Sequence, residues 1–164
     1  YDNEYWTRAQ IGEISDEEFW RLTLQQFDIF DDQGVDKFKA KLFKGERARL
    51  RVGMVNLVKQ MKQHYIVALL SNADSLFRKL LKTKFHADRL FHHVIISAEV
   101  GIAKPDPKIF QMACRIIGEK EAECIFIDDS ITNIQSAKSI GIHSLQFTTT
   151  TSLKKDLRRL GISV

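Results

Sequence analysis

From Val52 onward the chain alternates short apolar runs with helical stripes, and that alternation restricts what it can fold into. Met54, Leu57, Val58 and Met61 recur at helical spacing, and residues 65–70 form a short apolar run of strand composition. Residues 76–81 return to helix, and Val94-Ile95-Ile96 reads as a second strand. Asp106-Pro107 opens a helix with a cap residue and a first-turn proline, and Ile109, Phe110, Ala113 and Ile117 make its inner stripe. Residues 124–127 read as a third strand. The helix after them carries Ile131, Ile134, Ala137 and Ile140 and stops at Gly141, as a left-handed glycine stops a helix. Residues 142–147 read as a fourth strand, and Leu153, Leu157 and Leu160 mark a last helix ending at Gly161. Strands alternating with helices at this spacing predict β-α-β units and an α/β fold, a three-layer doubly wound parallel sheet with helices on both faces.

Residues 1–50 lack this rhythm and read as helices without strands. Ser15-Asp16-Glu17-Glu18 is a capping box, with Ile14 and Phe19 at the staple positions and Trp20, Leu24 and Phe27 following at helical spacing. The pattern breaks near Asp31-Asp32-Gln33-Gly34, and a charged helix follows. Charge divides at the same place. Residues 1–50 hold 8 Lys/Arg against 11 Asp/Glu, and residues 51–164 hold 17 against 10. No basic run interleaved with aromatics occurs, so the excess of Lys and Arg reads as solvated helix faces, with no nucleic-acid partner expected. The longest apolar run, Ile66-Val67-Ala68-Leu69-Leu70, is far short of the roughly 20 residues that span a bilayer. Cys114 and Cys124 are the only cysteines, which excludes a disulfide scaffold and makes a reducing, cytoplasmic setting the expectation.

Three strand ends carry polar residues that a packed core does not select. The first strand runs into Ser71-Asn72-Ala73-Asp74. The second leads through Gly101 to Lys104-Pro105-Asp106-Pro107, and the third ends in Asp128-Asp129-Ser130. In a doubly wound sheet these ends share one edge, where ligands bind. Two neighbouring carboxylates suit a hard divalent cation such as Mg²⁺, which takes one or two carboxylates plus waters and phosphate oxygens. A serine at a strand-to-helix turn offers its hydroxyl and nearby amides to a phosphate oxygen. A lysine beside them neutralises charge that builds in phosphoryl transfer. Each also has a plain structural alternative: Ser71 or Asp74 as a helix cap, Lys104 as a surface lysine, Asp128-Asp129 as an N-cap aided by the helix dipole.

The order of these segments carries more than any one of them. An apolar strand then Ser-Asn, the Gly-x-x-Lys-Pro-Asp-Pro-x-Ile-Phe segment, and an apolar strand then Asp-Asp-Ser-x-x-Asn-x-x-x-Ala-x-x-x-Gly-Ile resemble the second, third and fourth motifs of the haloacid dehalogenase-like hydrolase superfamily. Residues 1–50, with Gly12-Glu13-Ile14-Ser15-Asp16-Glu17-Glu18-Phe19-Trp20, look like part of the helical cap of its phosphatase-like branch, and residues 51–164 like its core. The resemblance implies that Ser71, helped by Asn72, hydrogen-bonds a transferring phosphoryl group. It implies that Lys104 holds that phosphoryl and the nucleophile's carboxylate, that Asp129 binds Mg²⁺ directly, and that Asp128 does so directly or through water. The substrate class it implies is a small phosphorylated metabolite. The paired acids favour phosphate-ester chemistry over the metal-free dehalogenases.

One element of the family pattern is missing. The first motif, an apolar strand ending in Asp-x-Asp that supplies the nucleophile, has no counterpart in residues 1–164. Phe27-Asp28-Ile29-Phe30-Asp31-Asp32 follows the cap helix, where the family has no strand. The resemblance therefore places the nucleophile upstream of Tyr1, on a strand between those near Ser71 and Asp128. The expectation for the fold is a strand-wide slot there, or another chain's strand filling it. A direct pairing of the two strands would instead favour a binding or regulatory module without catalysis. His92-His93, adjacent and so facing opposite ways, does not suggest a metal site. Cys114 and Cys124 read as small buried apolar groups, and Tyr5, Trp6 and Trp20 as packing within the cap.

Overall fold

The computed structural model describes residues 4–44 and 50–164; residues 1–3 and 45–49 of the expected cap unit lie outside the described residues. The elements run α1 (Glu4–Ala9), α2 (Asp16–Gln25), α3 (Asp32–Lys44), α4 (Val52–Met61), β1 (Ala68–Ser71), α5 (Leu76–Thr83), β2 (His93–Ile96), α6 (Ser97–Val100), α7 (Pro107–Ile117), β3 (Ile125–Asp128), α8 (Ile131–Ser139), β4 (His143–Gln146) and α9 (Thr150–Arg159). The local signals act where the sequence places them. Ser15 caps α2, its hydroxyl accepting from the Glu18 amide at 3.1 Å. Asp106 caps α7 with Pro107 in the first turn, and Gly141 and Gly161 follow α8 and α9 with positive φ.

β1 pairs with β2 and β3 with β4, both in parallel. Helices cover both faces of the β3–β4 pair. Ile125, Ile127 and Leu145 pack against Leu57 of α4 and against Leu153 and Leu157 of α9. On the other face Phe126 joins Ile109, Phe110 and Cys114 of α7 and Ala137 of α8. Alternate β3 residues thus enter opposite layers, as a strand's two-residue period requires. The fold is the expected α/β three-layer arrangement.

The sheet is divided. Among the described residues β1 and β3 are not hydrogen-bonded to each other, and a cavity of about 570 Å³ lies between them. It is lined by Ala68 and Leu70 of β1, Ile125 and Phe126 of β3, and Phe110 and Ala113 of α7 beneath. Central parallel strands are ordinarily buried on both faces, yet every residue of β1 and β3 is only half-buried. The slot keeps these edges open.

Some boundaries shift from the sequence reading. The run from Tyr65 begins its strand only at Ala68: the Tyr65 amide bonds back to the Met61 carbonyl at 2.9 Å, and Tyr65 and Ile66 are exposed at the mouth of the slot. Ile131 and Leu160 do not join the inner stripes of their helices. Ile131, in the first turn of α8, is 49% exposed, and Leu160, just past Arg159, is 45% exposed. At helix ends the turn no longer lies over the sheet.

Residues 4–44 pack as a separate helical cluster in which Ala9, Ile14 and Phe19 are buried and Tyr5, Trp6 and Trp20 close around them. The Trp6 and Phe19 rings meet edge-on at 5.6 Å. This cluster reaches the sheet edge through Gly12, whose φ is +76° and whose absent Cβ would lie 2.4 Å from the Ala98 carbonyl oxygen of α6. Only glycine fits that approach.

Candidate active site

Of the polar residues expected at the strand ends, Asn72, Lys104 and Asp128 are brought into contact. Ser71 ends β1 and Asp128 ends β3, while Lys104 reaches across from the loop before α7. Its Nζ donates to Asp128 Oδ2 at 2.6 Å and to the Leu70 carbonyl oxygen at 3.1 Å. The Lys104 and Asp128 side chains are 10% and 9% exposed. A lysine this enclosed is no surface lysine; it needs its partner, because an unpaired buried charge is costly.

The loop carrying Lys104 is held from two sides. Asn72 Nδ2 donates to the Lys104 carbonyl at 2.7 Å, and Asn72 Oδ1 accepts from the Lys104 amide at 2.8 Å. Both ends of that carboxamide are therefore committed to the Lys104 main chain. Ser136 of α8 donates to the Pro105 carbonyl, and the Phe126 ring lies 5.5 Å below the ammonium. Ser97, fully buried, accepts from the Ala73 amide and donates to the Ala73 carbonyl, joining the loop after β1 to the turn after β2.

The two acids differ in what they have left to offer. Asp128 Oδ1 accepts from the Ser130 amide at 2.8 Å and from Asn133 Nδ2 at 3.1 Å, while Oδ2 holds Lys104. Burial pushes its carboxyl upward, but the Lys104 ammonium and the Ser130 and Asn133 donors together hold it below the usual carboxylate range. Asp129 is exposed on the same edge, and its carboxylate has no partner among the described residues. The Ser71 hydroxyl is likewise uncommitted there. The open donors are hard oxygens. Two adjacent carboxylates, one free, fit a Mg²⁺ ion that completes its shell with waters and substrate oxygens. Among the described residues no group of three or more His, Cys, Asp or Glu side chains gathers as a ready-made metal cage.

Asp74 lies between the core and the helical cluster. Its Oδ1 caps α5 by accepting from the Leu76 amide at 3.1 Å, as the sequence allowed. Burial raises its carboxyl above the ordinary value and the Asp16 carboxylate adds to this, while the Leu76 and Phe77 amides and Lys39 act the other way. Lys39 of α3 pairs with Asp16 of α2 at 3.4 Å. Sequence reading did not assign roles to Asn133, Ser136 or Ser97. Asn133 alone had a signal, its fixed place three residues after Ser130 in the Asp-Asp-Ser segment.

The haloacid dehalogenase-like hydrolase family model matches residues 2–141. The chain belongs to that family. Among curated relatives it is 28% identical over 149 residues to the (S)-2-haloacid dehalogenase 4A of Burkholderia cepacia, covering 86% of this chain and 63% of that protein. It is 35% identical over 85 residues to the flavin mononucleotide hydrolase 1 of Arabidopsis thaliana, covering 52% and 35%. The chain thus spans less than two thirds of either relative. A Bacteroides thetaiotaomicron enzyme of the family, solved in complex with magnesium and inorganic phosphate, superposes with a TM-score of 0.74 at 24% identity, covering 88% of this chain and 74% of that one. That likeness establishes the family's fold for the chain. No helix among the described residues is long and apolar enough to cross a membrane.

Proposed function

We propose that the protein is a Mg²⁺-dependent phosphomonoester hydrolase or phosphotransferase acting on a small phosphorylated metabolite. The transfer runs through an aspartyl-phosphate whose aspartate comes from a segment outside residues 1–164. The observation that carries this reading is the enclosed Lys104–Asp128 pair beside an uncommitted Ser71 hydroxyl and an uncommitted Asp129 carboxylate. The Lys104 ammonium would neutralise charge on the phosphoryl oxygens as the aspartate oxygen attacks and the alkoxide departs. Ser71 would donate to one of those oxygens. Asn72 would act at one remove, by fixing the Lys104 main chain, and Asp128 would aim the ammonium. A magnesium ion held by Asp129, with Asp128 beside it, would supply further charge neutralisation at the phosphoryl group. The helical cluster of residues 4–44 would serve as part of a cap over the edge.

The dehalogenase reading is favoured by the name of a relative of which this chain covers 63%. The uncommitted Asp129 beside Asp128 supports the metal-dependent reading, because two adjacent carboxylates suit a hard divalent cation. Assay of the whole protein with p-nitrophenyl phosphate and with 2-chloropropionate, with and without Mg²⁺, separates them. Phosphate release that requires Mg²⁺ supports the proposal; metal-independent chloride release without phosphatase activity overturns it. Neither activity, together with tight binding of phosphate and Mg²⁺, would make the protein a binding module.

A further inference from the structure

Ser97 is fully enclosed, and its hydroxyl is spent on a single residue, accepting from the Ala73 amide at 3.0 Å and donating to the Ala73 carbonyl at 3.2 Å. Its place in the chain explains why a hydroxyl is needed there. The parallel pairing of β1 with β2 ends at Ser71 and Ile96. Beyond that point the β2 chain turns into α6, and the Ser97 carbonyl goes to the Gly101 amide at 2.9 Å. It is lost to strand pairing, while Ala73, itself buried, still has an amide and a carbonyl to satisfy. The Ser97 hydroxyl serves both, being donor and acceptor at once. The Ala98 amide adds a second bond to the Ala73 carbonyl at 3.3 Å. Both backbone groups of Ala73 are thus tied to the start of α6. That helix is fixed in its turn: Arg78 of α5 meets both Glu99 carboxylate oxygens at 2.6 Å, and the Ala98 carbonyl abuts Gly12 of the helical cluster.

We propose that Ser97 is a positioning residue for the candidate active site, holding the Ser71-Asn72 segment and, through Asn72, the Lys104 loop. Asn72 lies between two anchors, the Ser71–Ile96 pair before it and the clamped Ala73 after it. Its carboxamide meets the Lys104 main chain with both polar atoms, at 2.7 and 2.8 Å. Contact therefore runs from Ser97 to Ala73, Asn72 and Lys104 without a gap. Ser97 itself touches no substrate, because it is fully enclosed; it acts through the residues it holds. Without the hydroxyl the Ala73 amide loses its partner in a buried place, and the peptide turns to recover one. Asn72 follows that turn, and the Lys104 ammonium is drawn off the phosphoryl oxygens it neutralises. A displacement of about 1 Å at such a group costs about 10²-fold in rate. The kinetic role of Ser97 rests on the phosphatase reading; its grip on the two loops does not.

Two measurements on the whole protein test this. The first needs no activity. Amide hydrogen exchange in Ser97→Ala should be roughly fivefold faster at both Ala73 and Lys104, the worth of one hydrogen bond. Faster exchange at Ala73 with Lys104 unchanged overturns the proposal, for Ser97 then only stabilises its neighbour. The second is hydrolysis of p-nitrophenyl phosphate at saturating Mg²⁺, well below the melting temperature. Turnover per folded molecule should fall about tenfold or more in Ser97→Ala and in Ser97→Cys, which keeps the size of the side chain but is a weak donor and acceptor. Ser97→Thr, which keeps the hydroxyl, should recover part of the loss. Gly141→Ala, destabilised at the end of α8, should keep the turnover of the unaltered protein, as Ser97→Ala would if its role were structural alone. Should Ser97→Ala not fold, Ser97→Cys carries both measurements. Turnover within twofold of the unaltered protein in the Ser97 variants overturns the proposal. An unaltered protein that hydrolyses no phosphate ester would sink the phosphatase reading, and exchange at Lys104 would still decide whether Ser97 holds the loops.

Discussion

Lys104 Nζ and Asp128 Oδ2 lie 2.6 Å apart across the gap that divides the sheet. One belongs to the loop after β2, the other to the end of β3, and neither is more than 10% exposed. The pair joins the two halves of the sheet at the edge where the chemistry is expected, so its loss should be felt in activity and in stability separately.

In the whole protein, Lys104→Ala should lower phosphatase turnover by about two orders of magnitude or more, the scale of removing one preorganised charge from a transition state. Lys104→Arg should not restore it, because the planar guanidinium cannot meet Leu70, Asp128 and a phosphoryl oxygen from one point. Steady-state kinetics decide the matter, and turnover within threefold of the unaltered protein would remove Lys104 from the mechanism.

Asp129→Asn should weaken Mg²⁺ binding more than Asp128→Asn does, since the Asp128 oxygens are already engaged by Lys104, Ser130 and Asn133. Stability should follow the opposite order. Asp128→Asn removes a charge-assisted bond to an enclosed lysine and should cost about 1–3 kcal/mol, whereas Asp129→Asn should stay within about 0.5 kcal/mol. Calorimetric Mg²⁺ titration and urea unfolding of both variants give the two orders. If Mg²⁺ affinity is untouched by either change, the acidic pair is a helix cap.

Asp74 should make stability fall with rising pH. Its folded-state carboxyl lies above the ordinary value, chiefly through burial and then through Asp16. Between the ordinary and the raised value the folded chain holds more proton than the unfolded one. The contribution is therefore fully present below about pH 4 and is lost as pH rises through the folded value. Asp74→Asn, which can still accept from Leu76, should raise the urea midpoint at pH 7 and leave it unchanged at pH 3. A lowered midpoint at pH 7 would contradict this.

Gly12→Ala should destabilise the contact between the helical cluster and α6. The left-handed backbone alone costs about 1–2 kcal/mol for a residue with a Cβ, and the methyl would press on the Ala98 carbonyl, which is backbone and cannot turn away. Thermal unfolding compared with Gly141→Ala isolates the second part. Nothing lies within 4 Å of the Gly141 site, so there only the backbone penalty applies. Equal losses at the two positions would mean that the close approach carries no energy.

Much of this protein was legible in its sequence because the signals are local. The apolar stripes of α4 and α7, Leu153 and Leu157 of α9, the caps at Ser15 and Asp106, and the glycines that end α8 and α9 depend on neighbours within a few residues, and all stand where the pattern puts them. The edge that gathers Ser71, Lys104 and Asp128 was also legible, because parallel β-α-β units leave their strand ends on one side. Contacts between residues far apart in the chain were not. That Asn72 is committed to the Lys104 main chain, that Asp128 is saturated while Asp129 stays open, and that Lys104 occupies the Leu70 carbonyl depend on how loops from different strands fold over one another. Periodicity and spacing carry no record of such distances. The sequence alone determined the elements, their order and the residue types at the edge; only the tertiary structure decided which of those side chains remain free to act, because hydrogen-bond partners are assigned by proximity in space.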